Sequence, residues 1–102
     1  MGQATKGKGL EAEGLLHTRV VFDGEIVEVF QAARSLVRVP LADIQDVRLE
    51  QGRKWTEMKI ETTAGRVLTP DRRPLPIAFN SAQLSAAHGL ANALTEAVRK
   101  RR

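Results

Sequence analysis

From Gly14 onward the chain alternates in character. Leu16, Thr18, Val20 and Phe22 interleave with Leu15, His17, Arg19 and Val21, a period of two that predicts a strand with one buried face. Asp23-Gly24 follows at once and predicts a tight hairpin with both residues at its centre, because that turn type needs positive φ twice. A second strand runs from Glu25 to Gln31, and a third, short one from Leu36 to Val39. Pro40 lacks a backbone donor, so the third strand is an edge or ends there. Leu41 to Ile44 reads as a bend or one turn of helix. Gln45 to Glu50 is a fourth strand, Gln51-Gly52-Arg53-Lys54 a polar turn, and Trp55 to Thr63 a fifth strand with Thr56, Met58, Ile60 and Thr62 on one face. A short sixth strand at Val67-Leu68, a proline-bracketed loop over 70–74 and a seventh strand through Leu75, Ile77 and Phe79 complete the β-rich part.

The period then changes. Leu84, Ala87, Ala91, Leu94 and Val98 recur at threes and fours, which predicts an amphipathic helix over about 81–99. Asn80 and Gln83 have the spacing of a capping box. Gly89 disfavours a helix interior relative to Ala, and close packing on the sheet would explain it. Phe22, Ile60, Phe79 and Leu94 are expected to share one core. The whole reads as mostly β with one C-terminal α-helix: a bent antiparallel sheet or partly open barrel of about seven strands, capped by the helix.

Size and composition place this in a single domain. The chain has 102 residues and 42% hydrophobic residues, enough for one core without staples. It has no cysteine, so disulfides, thiolate nucleophiles and Cys-based metal sites are excluded, in keeping with a reducing, cytoplasmic setting. No apolar run approaches the roughly 20 residues of a membrane span, and the lysines near the start have no apolar stretch behind them as a signal peptide would. Residues 1–13 read as a flexible tail, 14–98 as the domain and 99–102 as a basic tail. The net charge is +4, yet residues 9–98 hold 10 basic and 12 acidic side chains. The excess therefore describes the tails and not a basic face, and sequence-specific nucleic-acid binding is disfavoured. Whether the chain is a whole protein or part of a longer one is left open by its sequence.

Several segments carry a resemblance: Gly14, Val21-Phe22-Asp23-Gly24, Val27-x-Val29, Arg38 to Ile44 leading into Val47, Met58-Lys59-Ile60 and Pro76-Ile77-Ala78-Phe79. In this order, over 14–98, they resemble the pleckstrin-homology-like (PH-like) domains of bacteria, of a group known only as a domain of unknown function. The resemblance implies a binding or assembly module, not an enzyme. In the phosphoinositide-binding members the loop joining the first two strands is rich in Lys and Arg. The corresponding turn here is expected at Asp23-Gly24-Glu25, which is acidic and would repel phosphate.

Candidate chemistry is sparse. His17 and His88 belong to no constellation with a nucleophile and a carboxylate, and a general base needs a partner within reach. Asp43 and Asp46, and Glu57 and Glu61 with Lys59 between them, read as surface charge rather than metal ligands. No cofactor and no small-molecule substrate are indicated. The candidate interaction surface is Arg53, Lys54, Trp55, Arg72 and Arg73. Trp55, the single tryptophan, lies outward by alternation or packs under the helix or against a neighbouring strand, depending on a register that one residue inverts. Exposed aromatics beside arginine are enriched in interface hot spots. Arg72-Arg73 would sit on the proline-bracketed loop. The expected partner is a protein or a second copy of the chain. Arg99 to Arg102 could add weak contact with anionic lipid, which makes an anionic-membrane-surface module the alternative.

Overall fold

The computed structural model describes residues 10–66 and 77–101. It is mostly β, in two antiparallel sheets, with one C-terminal helix. The first sheet is a meander of β1 (Leu10–Glu13), β2 (Thr18–Phe22), β3 (Ile26–Gln31) and β4 (Arg34–Pro40), in that order. In the second, β6 (Thr56–Thr62) pairs with β5 (Ile44–Gln51), with β7 (Gly65–Arg66) and with β8 (Ala78–Phe79). Helix α1 (Leu84–Arg101) packs against β1 and β5, each at an edge of its sheet. It therefore lies where the two sheets would otherwise leave apolar edges uncovered.

β1 corrects the last four residues of the expected 1–13 tail, while residues 1–9 lie outside the described residues. Residues 10–13 are a strand: Ala12 is 1% exposed and stands opposite Val20, while Glu11 and Glu13 face out. A lone alanine between two glutamates carries little hydrophobic signal, and its burial is supplied by α1 lying over it. Helix α1 also runs through Arg101, so Arg99, Lys100 and Arg101 are its last turn and not a tail. Their charge suits the negative end of the helix dipole. The expected sixth strand at Val67-Leu68, the proline-bracketed loop over 70–74 with Arg72 and Arg73, and Leu75 lie outside the described residues.

Alternation decides the core. Val20, Phe22, Val27, Val29 and Val39 from the first sheet meet Val47, Met58, Ile60 and Phe79 from the second, with Ala87, Leu90, Ala91, Leu94 and Val98 from α1. Phe22, Ile60, Phe79 and Leu94 do share this core. The capping box forms as spaced: the Gln83 N–H donates to Asn80 Oδ1 at 3.1 Å and the Asn80 N–H to Gln83 Oε1 at 2.9 Å. It opens a turn of 3-10 helix, Ser81–Gln83, that runs into α1.

Gly89 departs from the expected close packing. It is exposed, and a Cβ there would meet nothing within 4 Å. Gly89→Ala is accordingly expected to stabilise the domain by about 0.5–1 kcal/mol, read as a rise in the urea midpoint with an unchanged slope.

The first hairpin also differs from expectation. Only Gly24 has positive φ (104°), while the Asp23 carboxylate accepts the N–H groups of Glu25 and Ile26, each at 2.8 Å. That side chain holds Asp23 before the turn and makes Gly24 its first central residue, a position suited to glycine. The same two backbone bonds, with Ile26 the stronger, hold the Asp23 carboxyl below its ordinary value of 3.8. A carboxyl lowered in the folded state adds stability above its unfolded value, and this is lost as pH falls through the folded one. The melting temperature of Asp23→Ala is thus expected to lie below that of the parent at neutral pH, and the gap to shrink as pH falls below 3.8. A gap that stays constant from neutral to strongly acid pH would show that the carboxylate bonds do not form.

Candidate functional site

The register sorts the loops to two ends. One end carries the 23–25 turn, the Leu41–Asp43 turn, and the C-terminus of α1, whose Val98 and Arg101 border Leu41, Ile44 and Thr63. The other carries the 14–17 segment, the 32–33 turn, the β5–β6 tip at 52–55 and the start of α1. β5 separates the two ends by on the order of 25 Å.

At the second end the tip is closed by the Gly52 N–H donating to the Trp55 carbonyl at 2.9 Å. Thr56, the next residue, is buried against β8, and Trp55 is 47% exposed. This resolves the two expectations for Trp55: it lies outward. The Lys54 Nζ stands 6.0 Å from the centroid of its ring, at the limit of a cation–π contact. A shallow depression here is lined by Glu50, Arg53, Lys54, Trp55 and Glu57.

The cations of the neighbouring sheet face are committed. Arg48 lies 3.4 Å from Asp46 and 3.6 Å from Glu50, and Lys59 lies 3.1 Å from Glu50 and 3.8 Å from Glu57. Among the described residues Arg53 and Lys54 have no such carboxylate. The structure thus joins Arg53, Lys54 and Trp55 on one loop, while Arg72 and Arg73 lie outside the described residues.

The sequence pattern missed the 14–17 segment. Alternation places Leu16 inward with Thr18, Val20 and Phe22, and His17 on the outer face of the strand. Instead the strand begins at Thr18, and Leu15–His17 forms a tight turn in which Leu16 (φ 58°) and His17 (φ 60°) are both left-handed. Leu16 is 74% exposed. Left-handed backbone costs an L-residue about 1–2 kcal/mol, so something must hold it. The Gly14 N–H donates to the Thr18 carbonyl at 2.8 Å, and the Ala32 N–H to the His17 carbonyl at 2.9 Å. Ala32 is itself left-handed (φ 57°). Three strained residues therefore meet at one place, a distribution seen where backbone strain serves a site. Glu13, Leu15, Leu16, His17, Arg19 and Ala32 border a second shallow depression here.

Because β1 precedes β2, the loop joining the first two strands is this segment, and not Asp23-Gly24-Glu25 as expected. Its residues are Gly14, Leu15, Leu16 and His17, with neither Lys nor Arg. His88 is exposed on the outer face of α1. Among the described residues no helix is long and apolar enough to cross a membrane. Comparison with protein-family models, with curated proteins and with solved structures finds no match.

Proposed function

We propose that the chain is a non-enzymatic, cytoplasmic binding module of PH-like architecture that engages a protein partner through the end bearing Trp55. A four-stranded meander, a second antiparallel sheet and a C-terminal helix laid against an edge strand of each support the architecture. The carrying observation for function is Trp55, half exposed at a hairpin tip beside two cations without a carboxylate partner among the described residues. A large, stiff aromatic ring offers contact area at low entropic cost, and arginine beside it favours a protein interface. The lack of cysteine suits the cytoplasm.

Two observations weigh against the anionic-membrane alternative. The loop joining the first two strands has no basic residue. The basic last turn of α1 is at the end opposite Arg53 and Lys54, so one flat bilayer would meet only one of the two basic groups.

A photo-crosslinking side chain at the exposed Gln51, beside the tip, is expected to trap discrete protein adducts in cells that make the chain. Trp55→Ala is expected to abolish them, and the same side chain at Glu25, at the far end, to trap none. Adducts that persist in Trp55→Ala, or no adducts at all, would refute the reading. Flotation of the purified chain with phosphatidylserine vesicles, lost on removing residues 99–102, would establish the alternative instead.

A further inference from the structure

Among the described residues the large apolar side chains left exposed are Leu10, Leu16 and Trp55. Leu10 stands opposite Phe22, toward the 23–25 turn. Leu16 and Trp55 are together at the other end. Gly14, two residues before Leu16, lies against the Ala78 carbonyl, and Ala78 pairs with Glu57, two residues after Trp55. One close backbone contact and one strand spacing, on the order of 10 Å together, thus separate Gly14 from Glu57, so the turn bearing Leu16 and the tip bearing Trp55 fall within the footprint of one protein interface. We infer that Leu16 and Trp55 anchor a single docking surface for an acidic segment with apolar side chains, contributed by a different protein. This rests on the proposed binding function and names the chemistry of its partner.

The display of Leu16 is the first argument. A leucine in left-handed backbone, three-quarters exposed and pinned by hydrogen bonds on both sides, contributes nothing to the core. Glycine would hold the same turn without strain. Contact with another molecule is the use its side chain retains. Charge then selects the occupant. Arg53 and Lys54 have no carboxylate partner among the described residues, so the partner supplies one.

A second copy meeting this end about a two-fold axis would offer Arg53 and Lys54 the carboxylates of Glu50 and Glu57, which Arg48 and Lys59 already hold. An anionic bilayer would meet Glu13, Glu50 and Glu57, which border the two depressions. A peptide segment can set its carboxylates on the two cations alone and its apolar groups on Leu16 and Trp55.

Trp55 is the only tryptophan, so its emission reports the surface directly. The probe is an aromatic-free synthetic peptide of repeated Leu-Leu-Glu-Glu, titrated into the purified chain. A blue shift with saturable binding is expected. Leu16→Gly is expected to weaken it about tenfold or more, the loss of one apolar anchor, without lowering the melting temperature, since the turn is relieved of strain. The double variant Arg53→Glu with Lys54→Glu is expected to abolish it, and the Leu-Leu-Lys-Lys counterpart and phosphatidylserine vesicles to give no shift.

The inference is overturned if the acidic peptide gives no shift up to millimolar concentration, if the lysine peptide or the vesicles do as well, or if Leu16→Gly binds as tightly as the parent. It is also overturned if light scattering shows a dimer that Leu16→Gly dissociates, which would make the occupant a second copy. Adducts at Gln51 without charge-selective peptide binding would remove this inference alone. Absence of adducts would remove the binding function beneath it.

Discussion

Leu94→Asp is expected to leave the chain without a cooperative thermal transition. Leu94 is fully buried, on the face of α1 that it shares with Ala87, Leu90, Ala91 and Val98. Losing a buried leucine side chain costs about 2–5 kcal/mol. A carboxylate left there without a partner adds several more, through its own desolvation or through protonation to avoid it. Domains of this size are stable by about 5–15 kcal/mol, so the sum consumes most or all of that margin. Circular dichroism across a thermal scan checks it. Thr95→Asp, one residue on and exposed, is the control and is expected to shift stability by less than about 0.5 kcal/mol. A Leu94→Asp variant that melts with its parent would mean that α1 does not dock on β1 and β5.

The second large effect is expected at Gly14. Its backbone is extended (φ −121°, ψ −164°) and accessible to any residue, so the demand is for space and not for conformation. A Cβ there would stand 2.5 Å from the Ala78 carbonyl oxygen and 3.3 Å from two ring carbons of Phe79. The ring is fully buried, and the carbonyl belongs to a strand pinned to β6. Neither yields without moving β8. Gly14→Ala is therefore expected to cost about 2–3 kcal/mol, the upper range of overpacking, seen as a lower urea midpoint. Phe79→Leu in the same chain should not restore it, because the nearest obstacle is backbone. Stability equal to the parent would show that β8 and the 14–17 turn do not touch.

Gly14 also ties the core to the candidate site. It begins the turn that displays Leu16, and its N–H closes that turn on the Thr18 carbonyl. The docking surface is therefore held by the same contact that seats β8. Substitutions at Gly14 are expected to weaken peptide binding through position, and Leu16→Gly through loss of the side chain itself.

Much of this protein was legible because local chemistry and the final fold agree. The strand period from Thr18 to Phe22, the buried face of β6 at Thr56, Met58 and Ile60, the helical recurrence from Ala87 to Val98 and the Asn80–Gln83 capping box all appear where the sequence places them. In each, the side chains that signal the element also stabilise it, so neighbours a few residues apart suffice. The exclusion of disulfides and of Cys-based metal sites is likewise a matter of composition.

The remainder was settled by partners distant in sequence. Ala12 is core because α1 and β2 enclose it, not because its own segment is hydrophobic. Leu16 leaves the alternation because the Ala32 N–H, on the next hairpin, captures the His17 carbonyl and fixes a left-handed turn. No pattern over neighbouring residues contains that bond. Gly14 requires glycine because β8 arrives against it. The alternation of β6 already turned Trp55 outward, and the pairing of Thr56 with Phe79 fixes that register. The sequence by itself determined a β-rich domain with one C-terminal helix, because periodicity is a local property. Only the tertiary structure brought Leu16 and Trp55 to one end and α1's basic turn to the other, because the ends to which loops are sorted follow from long-range pairing.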